Sequence, residues 1–171
     1  MNKLKNFAIY LILFFMSTCV KPHEEYSIAI APQSKNDIAD YANLLTTREK
    51  RVLLSRCKEI RSKYKVRICV LTLTSSDEKW SDYDYMGPHV ARIFHIPYSE
   101  VKEDLFIISY LKKEDLLSME MSESAQNKYN YDQCMDVFGN QVKLFLKHRN
   151  SFELFNNTIS DIKNRISKGF I

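Results

Sequence analysis

The chain has 171 residues, 45% of them hydrophobic and 27% charged, with a formal net charge of +4, enough for one domain with a real core and some extra material. Its only glycines are Gly87, Gly139 and Gly169, which excludes a glycine-rich phosphate loop. Lysine and arginine are spread along the chain instead of gathering with aromatics on one face, which argues against a nucleic-acid partner.

Lys3 and Lys5 precede an unbroken run of ten apolar residues, Phe7 to Met16. That run is short for a membrane span and right for the core of a signal peptide. It ends in Met16-Ser17-Thr18-Cys19, which is similar to the lipobox of bacterial lipoproteins, although Met16 and Thr18 depart from the usual residues. The expectation is export, with Cys19 lipidated and holding the chain to the membrane. Plain cleavage near Thr18 and an uncleaved anchor are the alternatives. The expected organisation is a signal segment over 1–19, a linker over 20–35 with two prolines and mixed charge, and a domain over 36–171. Within the linker, Ser27-Ile28-Ala29-Ile30 has the composition of a short strand.

Thr46-Thr47-Arg48-Glu49 is a capping box, in which the threonine hydroxyl and the glutamate each take an orphan amide. The helix it starts runs to about Lys63, with Leu53, Cys57, Ile60 and Tyr64 on the buried face. The opposite face, with Arg48, Lys50, Arg51, Lys58 and Arg61, reads as a solvated surface. Next, Val66 to Leu73 alternates Val66, Ile68 and Val70 against Cys69, Leu71 and Leu73. Both sets are apolar, so this is a strand covered above and below, around which the domain is built. Leu105 to Leu111 reads the same way, and the stretch between is long enough for a helical crossover. A helix is expected within Ser81 to Phe94, with Met86, Val90, Ile93 and Phe94 inward and Pro88 starting or interrupting it. After the polar turn Lys112-Lys113-Glu114-Asp115, Leu117, Met119 and Met121 alternate with Ser118, Glu120 and Ser122, an edge strand with one wet face. Two helices finish the chain. Cys134, Phe138, Val142 and Phe145 make one stripe; Phe152, Phe155, Ile159, Ile162 and Ile166 make the other, with Asn150 and Glu153 capping it.

These elements predict an α/β fold: a three-layer α/β/α sandwich with a central, mostly parallel sheet and one antiparallel edge hairpin. Asp40-Tyr41-Ala42-Asn43-Leu44-Leu45-Thr46 resembles the opening Asp-x-Ala-Gly-Leu-Leu-Ser of the TPM domain family, with Asn43 in place of the glycine. The order of helix, strand, helix closing on Ile93-Phe94-His95-Ile96, acidic pair and strand is also similar, from about Asn36 to Ile166. The resemblance implies an exported, membrane-tethered sandwich on the periplasmic face of a bacterial envelope. It also implies either an accessory module for a membrane or envelope-protein partner or a divalent-cation-dependent acid phosphatase. The acidic positions carried over are Asp40, Glu103 and Asp104, which would hold a calcium or magnesium ion. The family's Asn-Gly is missing beside the acidic pair. Its glycine turn after the hairpin is replaced by Ser122-Glu123-Ser124-Ala125, which weakens an inherited site.

Residue chemistry adds little to this. Hard cations need several converging oxygens, and Asp37, Asp77 and Asp132 are further loop carboxylates able to contribute. Among 21 acidic residues, however, solvated carboxylates are the simpler reading. His89 and His95 have no ligand spacing. Ser75-Ser76 follows the central strand without a nucleophile elbow. Trp80 and Tyr83-Asp84-Tyr85 suit either a contact surface or packing on the sheet. With Cys19 lipidated, Cys57, Cys69 and Cys134 remain, without disulfide or metal spacing, and read as small buried hydrophobes. No cofactor beyond the possible dication is expected, and the favoured function is the non-catalytic accessory or protein-binding module.

Overall fold

The computed structural model describes residues 31–75, 90, 92–96 and 103–168. Cys19, the expected strand at 27–30, His89, Trp80 and Tyr83–Tyr85 lie outside them. The described elements are β1 (Ile38–Asp40), α1 (Thr47–Tyr64), β2 (Val66–Leu73), β3 (Asp104–Leu111), β4 (Leu116–Met121), α2 (Glu123–Tyr129), α3 (Tyr131–His148) and α4 (Ser151–Lys168). The sheet order is β1-β2-β3-β4, parallel across the first three strands and antiparallel at the β3–β4 hairpin. The expected fold class therefore holds. Among the described residues no helix is long and apolar enough to cross a membrane.

The alternation in β2 divides the core as the pleat requires. Val66, Ile68 and Val70 join Phe106 and Ile108 beneath α1, α3 and α4. Cys69, Leu71 and Leu73 join Ile107 and Leu111 against Val90, Ile93 and Phe94 on the other face. β2 pairs with β3 over its whole length, from Val66 opposite Asp104 to Leu73 opposite Leu111. With strands on both sides and cores above and below, it has seven of its eight residues buried, as β3 does.

The ends of α1 are fixed locally. Thr46 accepts from the Glu49 amide at 3.3 Å and its own amide donates to Glu49 Oε2 at 2.7 Å, completing the capping box. Lys65 closes the helix in the left-handed region at φ 60°, its amide bonding the Arg61 carbonyl. At α4, Asn150 Oδ1 takes the Glu153 amide at 3.1 Å, the expected cap. In the hairpin, Asp115 receives both the Tyr110 hydroxyl at 3.0 Å and the Arg149 guanidinium at 2.6 Å, which ties the turn to the C-terminus of α3. The three described cysteines are buried free thiols, and burial pushes Cys57 up to about 12. They are packing residues, as expected.

Three features differ from the expectations. Residues 38–40 form the three-residue edge strand β1, its Ile38 and Asp40 facing Val70 and Thr72. The segment 122–125 is a helix start instead of a turn: Ser122 caps α2, and Ala125 and Tyr129 bury its inner face. The chain is also packed before Asn36. Ala31 is fully buried, its carbonyl accepts from Arg92, and the Ser34 amide bonds the Ile93 carbonyl at 2.7 Å. The last residues of the expected linker thus belong to the domain. Among the described residues, Asn43, Lys65, His95, Asp115, Asn130 and Arg149 have positive φ, between 50° and 60°.

Candidate functional site

The three predicted acidic residues are not brought together. Asp40 lies opposite Thr72 and Asp104 opposite Val66, six residues apart along β2. At about 3.3 Å per residue that places them roughly 20 Å apart, at opposite ends of the sheet. A cation coordinated within about 2.6 Å cannot bridge that distance.

Each is also engaged where it stands. Asp40 Oδ1 accepts from the Leu44 amide at 3.0 Å and the Thr72 hydroxyl at 2.6 Å; Oδ2 accepts from the Leu45 amide at 3.2 Å. Lys50 Nζ lies 3.3 Å from Oδ2, and the Asp40 side chain is 1% exposed. Four donors occupy a carboxylate with about four acceptor positions. The turn it holds contains Asn43 at φ 50°, and asparagine is one of the few residues besides glycine that tolerates this region. Asn43 therefore takes this conformation at little cost.

Asp104 accepts from Ser124, Lys128 and Tyr129 at 2.8–2.9 Å, docking the start of β3 onto α2. Partial burial works to raise its pKa, but these three hydrogen bonds outweigh it and hold the carboxyl below its ordinary 3.8. A depressed folded-state value stabilises the fold above the unfolded value, and the gain is lost as pH falls through the folded one. Asp104→Asn is expected to lower unfolding free energy at pH 7 by about 1–2 kcal/mol. The gap between variant and wild type should narrow as pH falls below 3.8. Urea unfolding across that range checks this, and a gap independent of pH contradicts it. Glu103 faces a different partner, Arg61 Nη2, at 2.9 and 3.0 Å. The donor set thus does not fit one shared dication.

A large cleft lies elsewhere. A cleft of about 1080 Å³ opens at the N-terminal ends of the parallel strands, between the C-terminal half of α1, residues 34–37 ahead of β1, and Phe94-His95. Lys35, Lys58, Arg61, Lys65 and Arg67 line it, against the carboxylates of Asp37 and Glu103. Five cations against two anions leave three positive charges in one hollow. The C-terminus of α1 offsets about half a charge, so the surplus stands.

The cations differ in role. Arg67 is a charged residue in an otherwise apolar strand, and its partner explains it. Its Nε bonds Asp37 Oδ1 at 2.8 Å and its Nη2 bonds the Phe94 carbonyl at 3.0 Å, with side-chain exposures of 17% for Arg67 and 10% for Asp37. Asp37 also takes the Val70 amide on its carbonyl at 2.8 Å. This pair fastens β1 to β2 and forms the cleft's inner wall. Arg61 is held by Glu103, and Lys65 reaches back to the Ser62 carbonyl at 3.3 Å. Lys35 and Lys58 are exposed and have no ion-pair partner among the described residues. His95 stands on the rim at φ 53°. Part of the basic face of α1, read as solvated surface, therefore faces a hollow, while Lys50 on the same face pairs with Asp40 at the far end.

No protein-family model matches the chain, and no curated protein matches it. Solved structures do. The solution structure of the N-terminal domain of a protein from P. gingivalis superposes with a TM-score of 0.71 at 15% identity, covering 85% of this chain and 94% of that one. The NMR structure of BA42 protein from the psychrophilic bacterium Bizionia argentinensis gives 0.59 at 16% identity, covering 74% and 83%. At such identities the likeness concerns the fold.

Proposed function

We infer that this chain is a non-catalytic accessory module of a bacterial envelope, tethered at its lipidated Cys19, with the basic cleft as its binding surface. The observation that carries the reading is the commitment of Asp40. Four donors fill the carboxylate that a dication-dependent phosphatase of the TPM type would need, and Asp104 is engaged about 20 Å away. The resemblance to the TPM domain and the signal-like N-terminus support export and anchoring. The partner is a component of the same envelope that presents negative charge to the cleft.

The test uses the full chain and has two readouts. Millimolar calcium or magnesium is expected to leave the melting temperature within about 1 °C, where a site at a hundredfold excess over its dissociation constant would add about 2.7 kcal/mol. A generic phosphomonoester is expected to remain unhydrolysed between pH 4 and 8. A calcium-dependent shift together with turnover, both lost in Asp104→Asn, would establish the enzyme instead. In cells, palmitate should label wild type and not Cys19→Ala; unlabelled soluble wild type removes the tether.

A further inference from the structure

We propose that the cleft at the N-terminal edge of the sheet binds a multiply charged phosphoryl anion, with Lys35 and Lys58 as its direct ligands. This rests on the reading of the cleft as the binding surface and specifies what occupies it. Three observations lead to it.

The first is charge. The described lining carries three more positive than negative charges, in a chain whose whole formal net charge is +4. Gathering like charges in one hollow raises their mutual repulsion, which a bound anion relieves. The second is the division of labour among the cations. Arg67 and Arg61 are engaged by Asp37 and Glu103, which shapes and stiffens the wall. Lys35 and Lys58 approach from separate segments, one ahead of β1 and one on α1, and have no carboxylate partner among the described residues. Lysine ammoniums on flexible stems suit phosphoryl oxygens as point charges and do not need the planar fork that pairs best with a carboxylate. The third is shape. At about 1080 Å³ the cleft is at the upper end of small-ligand pockets and several times larger than one phosphate needs. Cations drawn from separate segments fit a group with more than one charged centre. An extended acidic peptide would be served better by a strip of cations along one face.

Such a group reaches the cleft from one of two sources: a soluble phosphoanion or the headgroup of an anionic lipid. Both present the same oxygens, and the experiment separates them. Purified full-length chain and its Lys35→Glu/Lys58→Glu variant are titrated with inorganic pyrophosphate. Both are then floated with phosphatidylcholine vesicles, with and without cardiolipin, whose headgroup carries two phosphates. The two lysines are exposed, so the variant is expected to melt like wild type, and the N-terminal segment, with its apolar run and Lys3 and Lys5, contributes equally to wild type and variants on each vesicle type. A control variant, Lys143→Glu/Lys147→Glu, removes the same charge from α3, away from the cleft.

Wild type is expected to bind at least one of the two probes about tenfold or more tightly than the cleft variant. It should match the control and weaken as salt rises. Tight pyrophosphate binding identifies a soluble ligand; a preference for cardiolipin vesicles without it identifies the headgroup. Equal binding by wild type and the cleft variant, or an equal loss in the control, overturns the proposal. Released phosphate is measured in the same titration. Hydrolysis would refute the non-catalytic reading while leaving the ligand assignment intact, so the two fail separately.

Discussion

Val70→Asp is expected to leave the chain without a cooperative thermal transition. Val70 is fully buried at the middle of β2, packed with Phe106, Ile108 and the apolar faces of α1 and α4. A carboxylate there enters a cluster made almost wholly of apolar side chains and loses its hydration. The cost is several kcal/mol even after protonation, on the order of a small domain's whole stability. Because β2 pairs with β1 on one side and β3 on the other, the damage cannot be confined to an edge. Circular dichroism melts of the two proteins check it, and a sharp transition close to that of wild type would contradict the central place of this strand.

The second large effect is expected at Asp37. Removing it in Asp37→Ala leaves the Arg67 guanidinium, 17% exposed, with the Phe94 carbonyl as its one remaining hydrogen-bond partner among the described residues. Uncompensated buried charges of this kind cost about 3–5 kcal/mol. The informative comparison is the double variant Asp37→Ala/Arg67→Met. Replacing a buried pair by apolar groups of similar size is close to neutral, so the double variant should recover most of the loss. That non-additivity is a coupling energy measurable by urea denaturation of the two single variants and the double. A loss below about 1 kcal/mol in the single variant, the range of exposed pairs, would mean that β1 is not held by this contact.

Most elements were legible in the sequence because their burial is periodic. β2 and β3 declare themselves by apolar alternation on both faces, β4 by one wet face, and α1 and α4 by caps that the structure forms as expected. β1 is only three residues long, too short for any period, and exists because Asp37 and Ile38 meet Val70 across the sheet. α2 was hidden by the replacement of a glycine turn. Ser122 ahead of an acidic first turn, with Ala125 and Tyr129 four apart, was the available signal. The site was harder to read. Whether Asp40 and Asp104 converge depends on strand register, which no short motif encodes. The cleft draws its cations from residues 35, 58 and 67, which the fold alone brings together. One trace was present: an arginine inside a strand of otherwise apolar and hydroxyl residues demands a partner, and Asp37 is that partner.

Six described residues with side chains take up the left-handed backbone region, in a chain of 171 residues with three glycines. At Lys65 and Arg149 the position is the one just past a helix where glycine is the common occupant. A residue with a Cβ carries about 1–2 kcal/mol of steric strain there. The loops therefore hold an unspent margin. Changes to glycine at these closures would release strain against a smaller entropic loss, and the lineage has headroom to accept harmful substitutions in its core by relaxing its turns. The arginine at 149 also restrains the hairpin through Asp115, so of the two closures Lys65 is the one whose relaxation loosens no contact between elements, at the cost of one of the cleft's cations.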